Sequence, residues 1–379
     1  MRRATAGAVA LAFVALLLGC SSSNGGLPAA TTFEEATERG PLAVGVTTLE
    51  LVDPSRPTEA NREYPGADER RFTVEVWYPA DAEPAAAEAR DAPLDTREAP
   101  YPLIIFAHGL SSGRLQSTSY TQHLASHGYV IVSPDFPLSG LRSPGGPRLA
   151  AVINQPGDVS FLIDRFLELS ETSGDRFEGA LDAEVIGVTG HSLGGLTTLL
   201  TVYGDSRDDR VKAALPIAAP ACFLGDDIAD EAAVPILVLG ASEDLLVNRA
   251  SARHGYDVAN APRYLVELQG ADHVRFADLE LTDAEVLAVL PREGLGGGSI
   301  AQDAAQVAGA TGGNAARCLA SPPPAGVQSL SSDRQRALLR AFATPFFDAY
   351  LRDQDAAKEF LERELPGLVS EAAVETDPP

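Results

Sequence analysis

Long apolar runs are missing from this sequence once its first twenty residues are passed. No later segment holds the roughly 18 consecutive apolar residues that a membrane-spanning helix needs. Basic residues are few as well: 29 Lys and Arg stand against 53 Asp and Glu, a net charge of -24. That balance opposes attraction to nucleic acid or to an anionic membrane surface and serves solubility instead. There are only three cysteines, and none clusters with histidine at zinc-binding spacing, so no structural metal is expected. No internal repeat is visible. What is present is 379 residues of 45% hydrophobic content, enough to bury one large core without requiring a second domain.

The N-terminus reads as a targeting segment. Arg2 and Arg3 precede "AGAVALAFVALLLGC", a short apolar stretch ending in Gly19 and Cys20, the pattern of a secretory signal over residues 1–20. "LLGC" also resembles the lipobox of bacterial lipoproteins, in which the cysteine is lipidated and becomes the mature N-terminus. The expectation is therefore an exported lipoprotein facing the periplasm or the cell surface, touching membrane only through a lipid on Cys20. A plain cleaved signal or an uncleaved anchor is the alternative. "SSSNGG" then opens a flexible tether over residues 21–40. An exported domain sits where disulfides persist, so Cys222 and Cys318 are either a bonded pair or two separate buried thiols.

Past the tether, "LAVGVTTLEL" and "RFTVEVWYP" alternate apolar and polar residues, as half-exposed strands do, and predict a leading antiparallel pair. The Ala-, Pro- and acid-rich residues 80–99 read as a surface loop. A strand-helix rhythm follows. "PLIIFAHG", "YVIVSPD", "EVIGVTG", "VKAALPIAA", "VPILVLGAS" and "RYLVELQG" are strands, with helical spacing between most of them. This predicts an α/β domain over residues 41–370, a mostly parallel sheet with helices on both faces. Residues 291–330 are Gly-, Ala- and Pro-rich and read as an irregular excursion; the helix of "SDRQRALLRAFATPFFDAYLRD" should be kinked or interrupted at Pro345; residues 371–379 read as a frayed tail.

The chemistry concentrates in "VIGVTGHSLGGLTTLLTVYG", residues 185–204, where Gly190 to Gly194 spell G-x-S-x-G between a strand and a helix. A serine on such a sharp turn projects above the carboxyl ends of the strands, at the N-terminus of the following helix. Its hydroxyl needs a base to take the proton and an acid to orient that base, in the chain order Ser, acid, His. That order selects His254 and His273 from six histidines. His254 lies in a polar helical stretch, whereas His273 follows the last strand of the rhythm in "ELQGADHVRFAD". His191 and His108 read as shaping residues. For the acid, Asp244 stands just past the apolar strand "PILVLGAS"; Glu243 is its neighbouring alternative and Asp226 and Asp227 the remote ones, while Asp272 is too close in sequence to His273 to turn back to it. Oxyanion donors are expected in the backbone N–H groups of Leu193 and of Leu110 in "FAHGLSSG".

These segments together resemble the α/β-hydrolases of the group that includes platelet-activating factor acetylhydrolase, dienelactone-hydrolase-like proteins and the bacterial polyester hydrolases. The resemblance runs through "PLAVGVTTLELVDPSRP", "FAHGLSSGR", "LASHGYVIVSPDFP", "GHSLGG" and "GADHVRFAD". It implies Ser192 as nucleophile, His273 as base, and donors at Leu110 and Leu193. Mammalian acetylhydrolases carry the acid after the preceding strand, where this chain has "LPIAAPA", so Asp244 resembles the polyester-hydrolase placement. The expected function is an exported serine esterase that cleaves small or lipid-like esters through an acyl-enzyme, without a cofactor. A lipase or polyester hydrolase is the nearest alternative, and a lipid-anchored binding protein on the same scaffold the alternative from another class.

Overall fold

The computed structural model describes residues 27–85, 87–229, 233–289, 300–318 and 328–378. Cys20 and the signal segment lie outside the described residues. In the central strands successive side chains face opposite ways, and here both faces are apolar. Leu103 and Ile105 enter one core while Ile104 and Phe106 enter the other; Ile236 and Val238 are likewise separated from Leu237 and Leu239. Strands buried on both sides must be covered by helices on both sides.

The sheet contains β1 (Val44–Asp53), β2 (Arg70–Pro79), β3 (Ala89–Arg90), β4 (Tyr101–Ala107), β5 (Val130–Pro134), β6 (Leu181–His191), β7 (Val211–Ile217), β8 (Ile236–Ala241), β9 (Arg263–Leu268) and β10 (Ala372–Asp377). Their order is β10-β9-β8-β7-β6-β4-β5-β2-β1-β3. From β5 through β9 neighbours run parallel. The expected leading pair is present, β1 against β2 antiparallel, and β2 joins the parallel block through β5. The helices are α1 (Phe33–Thr37), α2 (Thr118–Ser126), α3 (Gln155–Glu171), α4 (Leu193–Val202), α5 (Ala250–Val258), α6 (Asp283–Val289), α7 (Ile300–Thr311) and α8 (Ser332–Leu351), followed by shorter turns. Side chains of α3 and α4 fill one core, and those of α2 and α8 fill the other.

Five regions depart from the sequence reading, the last of them the excursion that contains α7. The tether expected over 21–40 is fixed on the domain in its second half. Thr32 caps α1 by accepting from the Glu35 N–H, Ala36 is buried, and the Ala30 N–H donates to Asp348 Oδ2 at 3.0 Å. The tail expected over 371–379 contains β10, antiparallel to β9, held by ion pairs from Arg263 to Asp377 and from Arg253 to Glu375. The surface loop at 80–99 holds the two-residue β3. Helix α8 runs unbroken through Pro345. A proline forfeits one helical N–H, but Leu338, Phe342, Phe346 and Phe347 are all fully buried on the sheet, and that burial outweighs one lost hydrogen bond.

Within the excursion at 291–330, residues 300–311 form α7, while 291–299 and 319–327 lie outside the described residues. Helix α7 is fastened to the body. Asp303 pairs with Arg148 at 3.3 Å, Thr311 Oγ1 donates to the Phe223 carbonyl, and Cys222 is bonded to Cys318 with their Cα atoms 5.3 Å apart. The bridge closes a span of 96 residues. Replacing both cysteines with serine is therefore expected to lower the free energy of unfolding by about 2–4 kcal/mol, read as a fall in the urea midpoint.

Candidate active site

Strand β6 delivers its chain into α4 through a single residue, Ser192, whose backbone sits at φ 57° and ψ -119°. That region suits glycine, not serine, and holding a side chain there costs of order 1–3 kcal/mol. The flanking glycines are demanded by contact. A Cβ on Gly190 would lie 2.3 Å from the Gly194 carbonyl oxygen, and one on Gly194 would lie 1.9 Å from that of Ala107. The turn closes only with both glycines, and it lifts Ser192 out of the sheet into a cavity that it shares with His273, Leu110 and Leu193.

His273 lies beyond the end of β9 and Asp244 beyond the end of β8, adjacent strands of the parallel block. Their side chains meet: the His273 Nδ1–H donates to Asp244 Oδ2 at 2.7 Å, with both groups buried. The other carboxylate oxygen, Oδ1, accepts from the backbone N–H groups of Leu246 at 2.8 Å and Val247 at 2.7 Å. Asp244 is thus held at both ends. Burial pushes the His273 imidazole towards the neutral form, but the carboxylates of Asp244, Asp283 and Asp272 outweigh it and raise its pKa above the ordinary value.

The competing residues lie elsewhere. His254 donates towards the Leu224 carbonyl, and Asp226 and Asp227 are exposed, with Asp226 paired to Arg317. Glu243 accepts from the neighbouring Ser242 hydroxyl. Asp272 Oδ1 accepts from the Arg275 N–H, and its pKa is pushed up to about 6 by burial and then by Asp283. His108 shapes its loop as expected, donating from Nδ1 to the Gly109 carbonyl and accepting at Nε2 from the Phe136 N–H.

Two residues that sequence reasoning did not single out tie the site together. Asp283 begins α6 and accepts three backbone N–H groups, from Leu245 at 2.9 Å, His273 at 3.0 Å and Val274 at 2.9 Å. It staples the acid loop to the base loop. The sequence signal for it is indirect: Thr282 and Glu285 form a reciprocal capping box that starts a helix there. Gln116 accepts from the Gly109 N–H at 2.6 Å and donates to His191 Nδ1 at 2.8 Å, and the His191 Nε2–H donates to the His273 carbonyl at 2.9 Å. One amide therefore links the Gly109–Leu110 loop, the turn at Ser192 and the base loop. His191 is buried and its pKa is held well below the ordinary range, so it serves as a neutral bridge. Nothing in the sequence around Gln116 announces this. Among the described residues no group of three His, Cys, Asp or Glu side chains is placed to hold a metal ion.

Residues 38–136 match the family described as platelet-activating factor acetylhydrolase, isoform II. The platelet-activating factor acetylhydrolase of Cavia porcellus is 22% identical over 233 residues, and that of Canis lupus familiaris 23% over 237 residues, each alignment covering 52% of this chain and 52% of the relative. A solved ferulic acid esterase from Streptomyces cinnamoneus superimposes with a TM-score of 0.56 at 20% identity, covering 83% of this chain and 92% of the esterase. The chain has the α/β-hydrolase fold. The matched family segment carries β1 to β5 and the Gly109–Leu110 loop and stops short of Ser192. The chain spans about half the length of the curated relatives it matches.

Proposed function

We propose that this α/β-hydrolase cleaves carboxylic esters through an acyl-enzyme on Ser192. The observation that carries the reading is the 2.7 Å His273–Asp244 hydrogen bond opening on the same cavity as the strained Ser192. With Nδ1–H committed to Asp244, His273 keeps Nε2 free to accept the Ser192 proton as Oγ attacks the ester carbonyl. The Leu193 N–H is in the first turn of α4, where helical amides have no intrahelical partner, and with the Leu110 N–H it receives the negative oxygen. His273 passes the proton to the departing alcohol, and water then releases the acid by the same steps. The names of the relatives, acetylhydrolase and esterase, belong to the same reaction class.

A fluorophosphonate probe with peptide mapping tests this. Label on the peptide containing Ser192 is expected; well-folded protein that takes no label overturns the reading and favours a binding protein on this scaffold.

The acid limb of the pH profile follows from the same geometry. His273 must be neutral to act, and its pKa is raised, so kcat/KM should climb with pH to a midpoint above the ordinary imidazole value of about 6.5. Asp283→Asn removes one of the carboxylates that raise it. The limb is then expected to move to lower pH, which a kcat/KM profile across about pH 5–9 would read.

We propose further that Cys20 carries lipid and that the domain is exported on it, supported by the "LLGC" sequence after an apolar stretch. Mass spectrometry of the mature N-terminus tests this, and an unmodified residue downstream of Cys20 overturns it.

A further inference from the structure

The cavity over Ser192 has a volume of about 730 Å³. A water molecule's share of liquid volume is about 30 Å³, so a two-carbon acyl group would leave most of that space to solvent. The walls are apolar: Leu149, Phe223, Leu246, Val247, Val274 and Val286 face it from separate segments. Apart from His191 and His273, no ionisable side chain lines it among the described residues. A charge drawn into such a site loses its hydration and gains no partner.

One wall is α7, which presents Ala301 and Ala304 to the cavity. Short side chains there leave width. The nearby carboxylate on this helix, Asp303, is buried and turned to Arg148 and the Ala150 N–H, so its charge is already neutralised. Because Asp303, Thr311 and the Cys222–Cys318 bridge fasten the α7 segment to the body, the wall is preformed, as ligand sites usually are. The N-terminal half of α7, around Asp303, packs at the turn Leu149–Asn154, which follows β5 on the far side of β6 from β9 and His273, whereas its C-terminal end meets the turn Ala221–Phe223 after β7. The departing alcohol must lie on the His273 side to be protonated. The α7 side is left for the acyl chain.

Resting on the esterase reading above, we infer that the substrate is an uncharged carboxylic ester with an extended apolar acyl chain, directed along the alanine face of α7. This departs from an acetyl specificity, and among the described residues the lining offers no cation for a phosphate.

The test compares kcat/KM for 4-nitrophenyl acetate, butyrate and octanoate with that for the mono-4-nitrophenyl ester of octanedioic acid, which matches octanoate in chain length but ends in a carboxylate. Each buried methylene should add about two- to fourfold, so octanoate is expected to exceed acetate by at least ~50-fold. The anionic ester should fall below octanoate by at least ~50-fold. Ala304→Arg should raise the ratio of anionic ester to octanoate at least ~10-fold, since a cation on that wall supplies the missing partner. Acetate cleaved as well as octanoate, or the anionic ester as well as the neutral one, overturns the inference on wild-type protein alone, whether or not the variant folds. No turnover of any ester together with no fluorophosphonate label at Ser192 overturns the underlying reading instead.

Discussion

Alanine in place of Ser192 or of His273 is expected to lower kcat by about 10⁵- to 10⁶-fold, and the double substitution by no more than either alone. The two groups act as one unit. Without Oγ there is no nucleophile, so an intact His273 has no proton to take; without the imidazole, Ser192 stays a neutral alcohol at working pH. Non-additivity separates this arrangement from one in which each residue merely stabilises the fold, where losses from distant sites would add. The turn itself should survive Ser192→Ala, because Gly190 and Gly194 make the close approaches to Gly194 and Ala107 that define it. Steady-state kinetics on the two single variants and the double, with thermal melts alongside, would check it. A double variant about as much slower again as the product of the single losses would contradict the shared role.

Much of this arrangement was legible in the sequence because the parts that carry it obey local rules. The strand-turn-helix at residues 185–204 shows its period change and its glycines without any partner in view. Chain order then reduced six histidines to two, and the strand ends picked His273 and Asp244, whose side chains do meet. Central strands such as β4 and β8 read clearly because both faces are apolar. The edge of the sheet did not. In β10 the residues Ala-Ala-Val-Glu-Thr-Asp bury little, and what fixes them is pairing to β9 and ion pairs with Arg253 and Arg263, partners more than a hundred residues away. Helix α1 was missed for a similar reason: five residues are too few to be helical alone, and the segment is held by packing on α8.

The same distinction applies within the site. Ser192 announces itself through its neighbours in sequence, but Gln116 and Asp283 have functions set only by convergence. The Gln116 amide is useful because the neighbouring strands β4 and β6 end side by side, which puts the Gly109 N–H and His191 Nδ1 within its reach, and His191 in turn donates to the His273 carbonyl. Asp283 reaches two loops at once for the same reason. A polar residue in a loop has no sequence signature for the backbone amides it will satisfy, although those amides must be satisfied by something when buried.

Asparagine at position 244 is expected to lower kcat by about 10⁴-fold with little change in stability, and the hydrogen bonds around the carboxylate explain why. Oδ1 accepts from both the Leu246 and Val247 N–H groups. An asparagine must keep its carbonyl oxygen there, since turning its NH₂ towards two donors would leave three groups unpaired in a buried place. Its NH₂ then points at His273 Nδ1, where Asp244 Oδ2 now accepts at 2.7 Å. A donor facing Nδ1 forces the imidazole to carry its proton on Nε2, the nitrogen that should take the proton from Ser192. The base is present, correctly placed and in the wrong tautomer. Because the loss is one of protonation state, it should diminish at high pH, where hydroxide can take the place of the base, and it should leave KM for a neutral ester nearly unchanged. A pH series of kcat for Asp244→Asn reads this directly. A uniform loss at every pH, accompanied by a fall in melting temperature of several degrees, would mean instead that Asp244 acts by holding the 244–247 turn rather than by setting the histidine.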